Sequence, residues 1–131
     1  MREVLTIRVI LEDICEVEKG NSLARIITFT GDCECEYFKG KILKGGADTQ
    51  QARLGQELVL SARYILQGVD KDGNDCKIFI ENNGIASEGN TKTKPYVLTD
   101  SEYLSFLNEV ELEGEVEPWE KGVVVHIYVN D

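Results

Sequence analysis

At 131 residues the chain has the length of one domain with room for a single core, and its 42% apolar share argues against disorder. A net charge of -10 without any basic cluster repels phosphate backbones and anionic lipids, so neither nucleic acid nor a membrane is an expected partner. No apolar run approaches a membrane span, and Arg2, Glu3 and Arg8 interrupt the segment where a signal peptide would be, so the expected location is the cytoplasm, with Cys15, Cys33, Cys35 and Cys76 as reduced thiols.

In chain order, Leu5, Ile7, Val9 and Leu11 alternate with Thr6, Arg8, Ile10 and Glu12, the period of a strand. Turn signals then recur at Gly20-Asn21, Gly31-Asp32, Gly45-Gly46, Gly55, Asp72-Gly73, Asn82-Asn83-Gly84, Gly114 and Gly122. Between them, residues 24–30, 34–43, 58–67, 77–85, 110–117 and 123–129 are rich in β-branched and aromatic side chains. Residues 70–74 read as a hairpin tip, and 87–94 as a polar loop. Residues 99–107 carry the clearest helix signal, with Thr99 and Glu102 spaced as a capping box and Tyr103, Phe106 and Leu107 on one face. The expectation is a single all-β domain over 1–131, with about eight to ten antiparallel strands and one short helix near 99–107. Closing such a sheet into a barrel removes its exposed edges and leaves a lumen lined by every second residue, with space for side chains or one small ligand.

The string Gly45-Gly46-Ala47-Asp48-Thr49-Gln50 follows an extended apolar segment. Two glycines permit a sharp turn or a close approach to the backbone at Gly46, and Asp48 and Gln50, two apart, share one face of an extended chain. Arg63 and Tyr64 point to opposite faces of their strand, so at most one of them enters the lumen. Were it Arg63, it would pair with Asp48; a buried carboxylate there is a candidate general acid or base, while the structural alternative is an ion pair that fixes strand register.

Other motifs read as structural. Residues 70–81 place oxygen ligands at several positions of a calcium loop, but Asp75 stands where glycine is needed and strands flank it instead of helices. Cys33-Glu34-Cys35 lacks the further ligands of a zinc site, so no metal is expected. His126 has no nucleophile partner in view, and no phosphate loop or dinucleotide fingerprint is present, so no cofactor is expected. Trp119 is a candidate plug for one barrel end, or else a residue of a subunit contact.

The order of motifs resembles a family of small bacterial and fungal domains of unknown function, number three-two-three-seven, placed among calycin-like (lipocalin-like) β-barrels. The resemblance runs through residues 27–31, 38–50, 62–66, 78–84 and 103–108, and its most specific part is the Gly-Gly-Ala-Asp-x-Gln string. Thr49 stands where the family usually has an aromatic, and Phe106 where tryptophan is usual. The family has no settled activity, so the resemblance implies a calycin-like barrel and adds Asn108, in the matching segment 103–108, to the candidate ligand-binding residues Gly46, Asp48, Gln50, Arg63 and Tyr64. Two functions follow as expectations. One is a binder of a small, mostly apolar molecule in the lumen near Asp48, Gln50 and Arg63. The other is a cofactor-independent isomerase, cyclase or lactone-processing enzyme with Asp48 as general acid/base. A homodimer is the default assembly, two-fold pairing being the commonest.

Overall fold

A computed structural model describes residues 1–130. Nine antiparallel strands form one sheet: β1 (Arg2–Lys19), β2 (Ser22–Glu34), β3 (Phe38–Ile42), β4 (Ala47–Ala52), β5 (Val59–Asp70), β6 (Asp75–Ile85), β7 (Thr91–Thr99), β8 (Leu112–Trp119) and β9 (Gly122–Val129). The sheet closes on itself because β1 pairs along one edge with β9 and along the other with β2. Opposite this closure, β3 and β4 share one place in the ring. The C-terminal part of β2 pairs with β3 and its N-terminal part with β4, and β5 pairs with both in the same way. The break between them is Leu43–Gly46, where Gly45 takes φ 110°, a conformation that a side chain disfavours. Backbone bonds from Leu43 N to Ile65 O and from Phe29 N to Gly46 O stitch the break to its neighbours.

One half of the interior is packed solid. Leu5, Ile7, Phe38, Leu66, Ile78 and Ile127 are almost fully buried there, and Leu104 and Leu107 close that end from outside the sheet. The closing segment is shorter than the helix expected over 99–107: Thr99 ends β7 and only Ser105–Asn108 forms a 3-10 turn. Thr99 bonds Lys77 O through its hydroxyl and so does not cap, while Ser101 Oγ accepts from Leu104 N at 3.1 Å in the turn before the 3-10 segment, whose own N-cap position, Leu104, offers no side-chain bond. Ser101 also donates to Asp70 Oδ2 at 2.6 Å, and Asp70 Oδ1 accepts from Asp72 N and Asn74 N. One carboxylate therefore shapes the β5–β6 hairpin and ties it to the plug. The hydrogen bond from Ser101, with those from the turn, holds its pKa below the ordinary value. Leu104 and Leu107 perform the sealing expected of Trp119, which is half-buried in the β8–β9 hairpin and outside the core.

Four expected turns or loops are strand, Gly114 among them, within β8. Gly31-Asp32 lies within β2 and Asn82-Asn83 within β6, while β7 takes in Thr91–Lys94 of the expected loop. At Gly31 the neighbouring strand comes so close that a Cβ would lie 2.0 Å from Arg8 O. The glycine marks backbone contact between strands, a use that sequence alone does not separate from a turn.

On the outer surface a charged cluster joins β1, β9 and β8. His126 on β9 reaches Glu3 on β1 (Nδ1 to Oε2, 2.7 Å) and Glu117 on β8 (Nε2 to Oε1, 2.8 Å). Both nitrogens donate only in the imidazolium form. Burial opposes that form, but the hydrogen bonds and charges of the two glutamates outweigh it and raise the pKa above its usual value.

Two outcomes follow. A Cβ at Gly68 would sit 1.9 Å from Lys39 O across the β3–β5 ladder, so Gly68→Ala is expected to lower stability by about 1–3 kcal/mol, read from the urea midpoint. The stabilisation from His126 is fully present below its unfolded pKa of about 6.5 and lost as pH rises through the raised folded value. The advantage in thermal midpoint of the native chain over His126→Gln should therefore shrink from mildly acid to alkaline pH.

Candidate functional site

The other half of the barrel is hollow. A cavity of about 210 Å³ opens between the N-terminal part of β5 and the C-terminal part of β6, at the end away from the plug. Its wall is mainly apolar, formed by Val9, Leu11, Ile27, Leu60, Val116, Val123 and Val125, with Phe29 and Tyr64 in edge-to-face contact at 5.3 Å. Among the described residues, four buried side-chain oxygens lack a hydrogen-bond partner: Asp48 Oδ1, Tyr64 Oη, Asn82 Oδ1 and Thr93 Oγ1. All four residues line this cavity. A buried polar atom left unpaired costs about 1–3 kcal/mol, so four on residues that line one space set this wall apart from the solid half of the interior.

The alternation of β4 sends Asp48 and Gln50 inward together. Gln50 Nε2 donates to Asp48 Oδ2 at 2.8 Å, and Gln50 Oε1 accepts from Arg25 Nη1 at 3.1 Å. Arg25 Nε in turn lies 3.0 Å from Glu16 Oε2. A polar chain thus runs Glu16, Arg25, Gln50, Asp48, from the protein surface to the cavity wall. Burial pushes the Asp48 carboxyl above its ordinary pKa, against the pull of Gln50, the Ser61 backbone and the Arg25 charge. Burial, and behind it the proximity of Cys33, also raises the Tyr64 phenol, which stays protonated and available to donate.

The expected site residues separate here. Asp48, Gln50 and Tyr64 come together on the cavity. Gly46 stands behind it: a Cβ there would lie 3.1 Å from Phe29 and 3.2 Å from Tyr64, so the glycine lets the aromatic pair seat against the backbone. Arg63 does not enter the lumen. It lies on the outer face, paired with Glu81 at 2.6 Å, because Tyr64 takes the inward position of the alternation. Asn108 is far from the cavity in the fold; it accepts from Thr99 N at 2.8 Å and donates to Thr99 O at 3.1 Å, a clamp that holds the plug to β7.

Arg25, Asn82 and Thr93 were not among the expected site residues, although the first two carried a signal. Arg25 continues the inward series Ile27, Phe29, and Asn82 continues Ile78, Ile80. A polar residue ending a buried apolar alternation marks where a solid core gives way to a cavity. Among the described residues, no group of three or more His, Cys, Asp or Glu side chains is placed to hold a metal ion, and no helix is long and apolar enough to cross a membrane.

The profile of the family described as Protein of unknown function (DUF3237) matches residues 1–129. The chain belongs to this family. No curated protein matches it. Among solved structures, a protein of unknown function from Clostridium acetobutylicum ATCC 824 is similar at 23% identity and a TM-score of 0.83, over 99% of this chain and 98% of that one. A β-barrel-like protein from Acinetobacter baumannii AYE has 23% identity and a TM-score of 0.78, over 98% and 93% of the two chains. An enzyme from Penicillium herquei has 16% identity and a TM-score of 0.73, over 98% and 92%. At these identities the likeness is one of fold, and the fold of this DUF3237 member is the β-barrel expected from its sequence.

The buried carboxyl has a measurable consequence. A raised folded pKa means that the folded chain holds the proton more tightly than the unfolded one, so stability falls as pH rises from about 4, the unfolded Asp value, through the folded value. Asp48→Asn, which keeps an acceptor for Gln50 and removes the charge, should raise the thermal midpoint at neutral pH. The gain should close as pH falls toward about 4.

Proposed function

We propose that this DUF3237 member binds a small, mostly apolar molecule in the barrel cavity and orients it through Asp48, Tyr64, Asn82 and Thr93. The observation that carries the reading is the convergence of four unpartnered oxygens on one apolar space. A volume of about 210 Å³ falls below the ~300–1,000 Å³ of pockets for drug-sized ligands. The occupant is therefore compact, with an apolar body that fits the valine and leucine wall. Tyr64 supplies a donor, Asn82 and ionised Asp48 supply acceptors, and Thr93 supplies either. A molecule with a carbonyl or ether oxygen near one or two hydroxyl groups matches this set.

A second reading is supported by Asp48 itself. Asp48 lines the cavity, its Oδ1 has no partner, and burial raises its pKa above the ordinary value, the direction that suits a general acid/base. In a cofactor-independent isomerase, cyclase or lactone-processing enzyme, Asp48 would move a proton while Tyr64 donated to the oxygen that gains charge. That an enzyme of Penicillium herquei shares the fold is compatible with this reading and, being a likeness of fold, adds no more.

Native mass spectrometry of protein purified from its own host, followed by titration of any retained compound, tests both readings. Tyr64→Phe should weaken binding about five- to tenfold, the loss of one hydrogen bond. Ala62→Phe should fill the cavity and abolish retention while circular dichroism stays native. A binder loses affinity with Asp48→Asn. An enzyme keeps its ligand with that variant and loses turnover about 100-fold or more. Retention undiminished by Ala62→Phe would place the ligand elsewhere and end the proposal.

A further inference from the structure

Cys33 and Cys35 lie outside the cavity wall and have no part in the reading above. On a continuing strand, residues two apart are separated by about 6.6 Å along the chain. Here β2 stops at Glu34, and a backbone bond from Cys35 N to Phe38 O (3.0 Å) folds the chain back into β3. The bend brings Cys35 Sγ to 3.7 Å from Cys33 Sγ. A disulfide needs about 2.05 Å, so a sulfur movement of under ~2 Å closes the bond. The two thiols differ in access: Cys33 is buried at 2% exposure, whereas Cys35 stands half-buried at the bend.

We propose that Cys33 and Cys35 form a reversible redox couple, oxidised to a disulfide by a peroxide and returned to thiols by a dithiol reductant. Cys35 is the attacking sulfur and Cys33 the resolving one. As a thiol, Cys35 donates to Phe38 O at 3.3 Å. As a thiolate, it accepts from the Cys33 thiol, and the backbone amides of Tyr37, Phe38 and Thr6 also favour its negative charge, lowering its pKa although burial opposes this. Cys33 is pushed the other way, first by its hydrogen bond to Cys35 and then by burial.

The Cys35 thiolate attacks one peroxide oxygen, the O–O bond breaks, and the leaving oxygen takes up a proton, giving Cys35 sulfenic acid and water or an alcohol. Cys33 sulfur then attacks Cys35 sulfur, the S–O bond breaks, and the hydroxyl leaves as water with the Cys33 proton. Two electrons pass from the two thiols to the peroxide, and a dithiol supplies two on the return.

The test treats the full chain carrying Cys15→Ser, which removes the exposed thiol, with equimolar hydrogen peroxide. Alkylation and tryptic digestion then isolate residues 26–39, which hold both cysteines. That peptide should lose two hydrogens and take no label, with both labels restored by dithiothreitol. Cys33→Ser should stop at a sulfenic acid on Cys35 that dimedone captures, and Cys35→Ser should react about tenfold more slowly. The folded chain should also form the bond faster than the same chain in urea. The proposal is overturned if the peptide keeps both labels, gains oxygen without losing hydrogens, or oxidises no faster in the folded chain than in urea.

Discussion

Everything in this barrel depends on β1 being hydrogen-bonded along both of its edges. An open sheet of this size would leave two strands with unsatisfied backbone groups and two faces to cover, and a 131-residue chain with almost no helix has nothing to cover them with. Pairing β1 with β2 and β9 removes both edges and turns one face inward. The apolar alternation of each strand then has a common interior to fill, and the position of every inward side chain follows from its place in the ring.

The interior is divided along its length by residue type. Where the inward positions are Ile, Leu and Phe, with Leu104 and Leu107 driven in from the plug, the barrel is solid. Where they change to Asp48, Ala62, Asn82 and Thr93, side chains are too small or too polar to meet across the lumen, and a cavity remains. The broken strand β3–β4 matters at this boundary. Its glycine corner leaves room for Phe29 and Tyr64 to rest against backbone, and these rings form the floor on which the polar wall stands.

The strands were legible because alternation is local: residues 5–11 and 123–129 announce their inward faces without any partner. The polarity of Asp48 and Gln50 and their common face were legible for the same reason. What sequence could not supply was the choice between two faces of β5. Arg63 and Tyr64 are both plausible lumen residues until the pairing of β5 with β6 sets Arg63 beside Glu81 on the outside. Asn82-Asn83-Gly84 has the composition of a turn, yet lies in a strand because β5 and β7 both pair with it. The short 3-10 turn follows the same logic. Thr99 is used by the sheet, so no capping box forms and only one turn of 3-10 helix remains before β8.

The link from Glu16 through Arg25 and Gln50 to Asp48 has a neutral amide as its third member. An amide transmits polarisation but is a poor conductor of protons. The guanidinium can therefore bias the electrical environment of the interior acid without serving as its proton source. Asp48 lines the hollow, so its carboxyl can exchange a proton there with solvent or with a bound molecule.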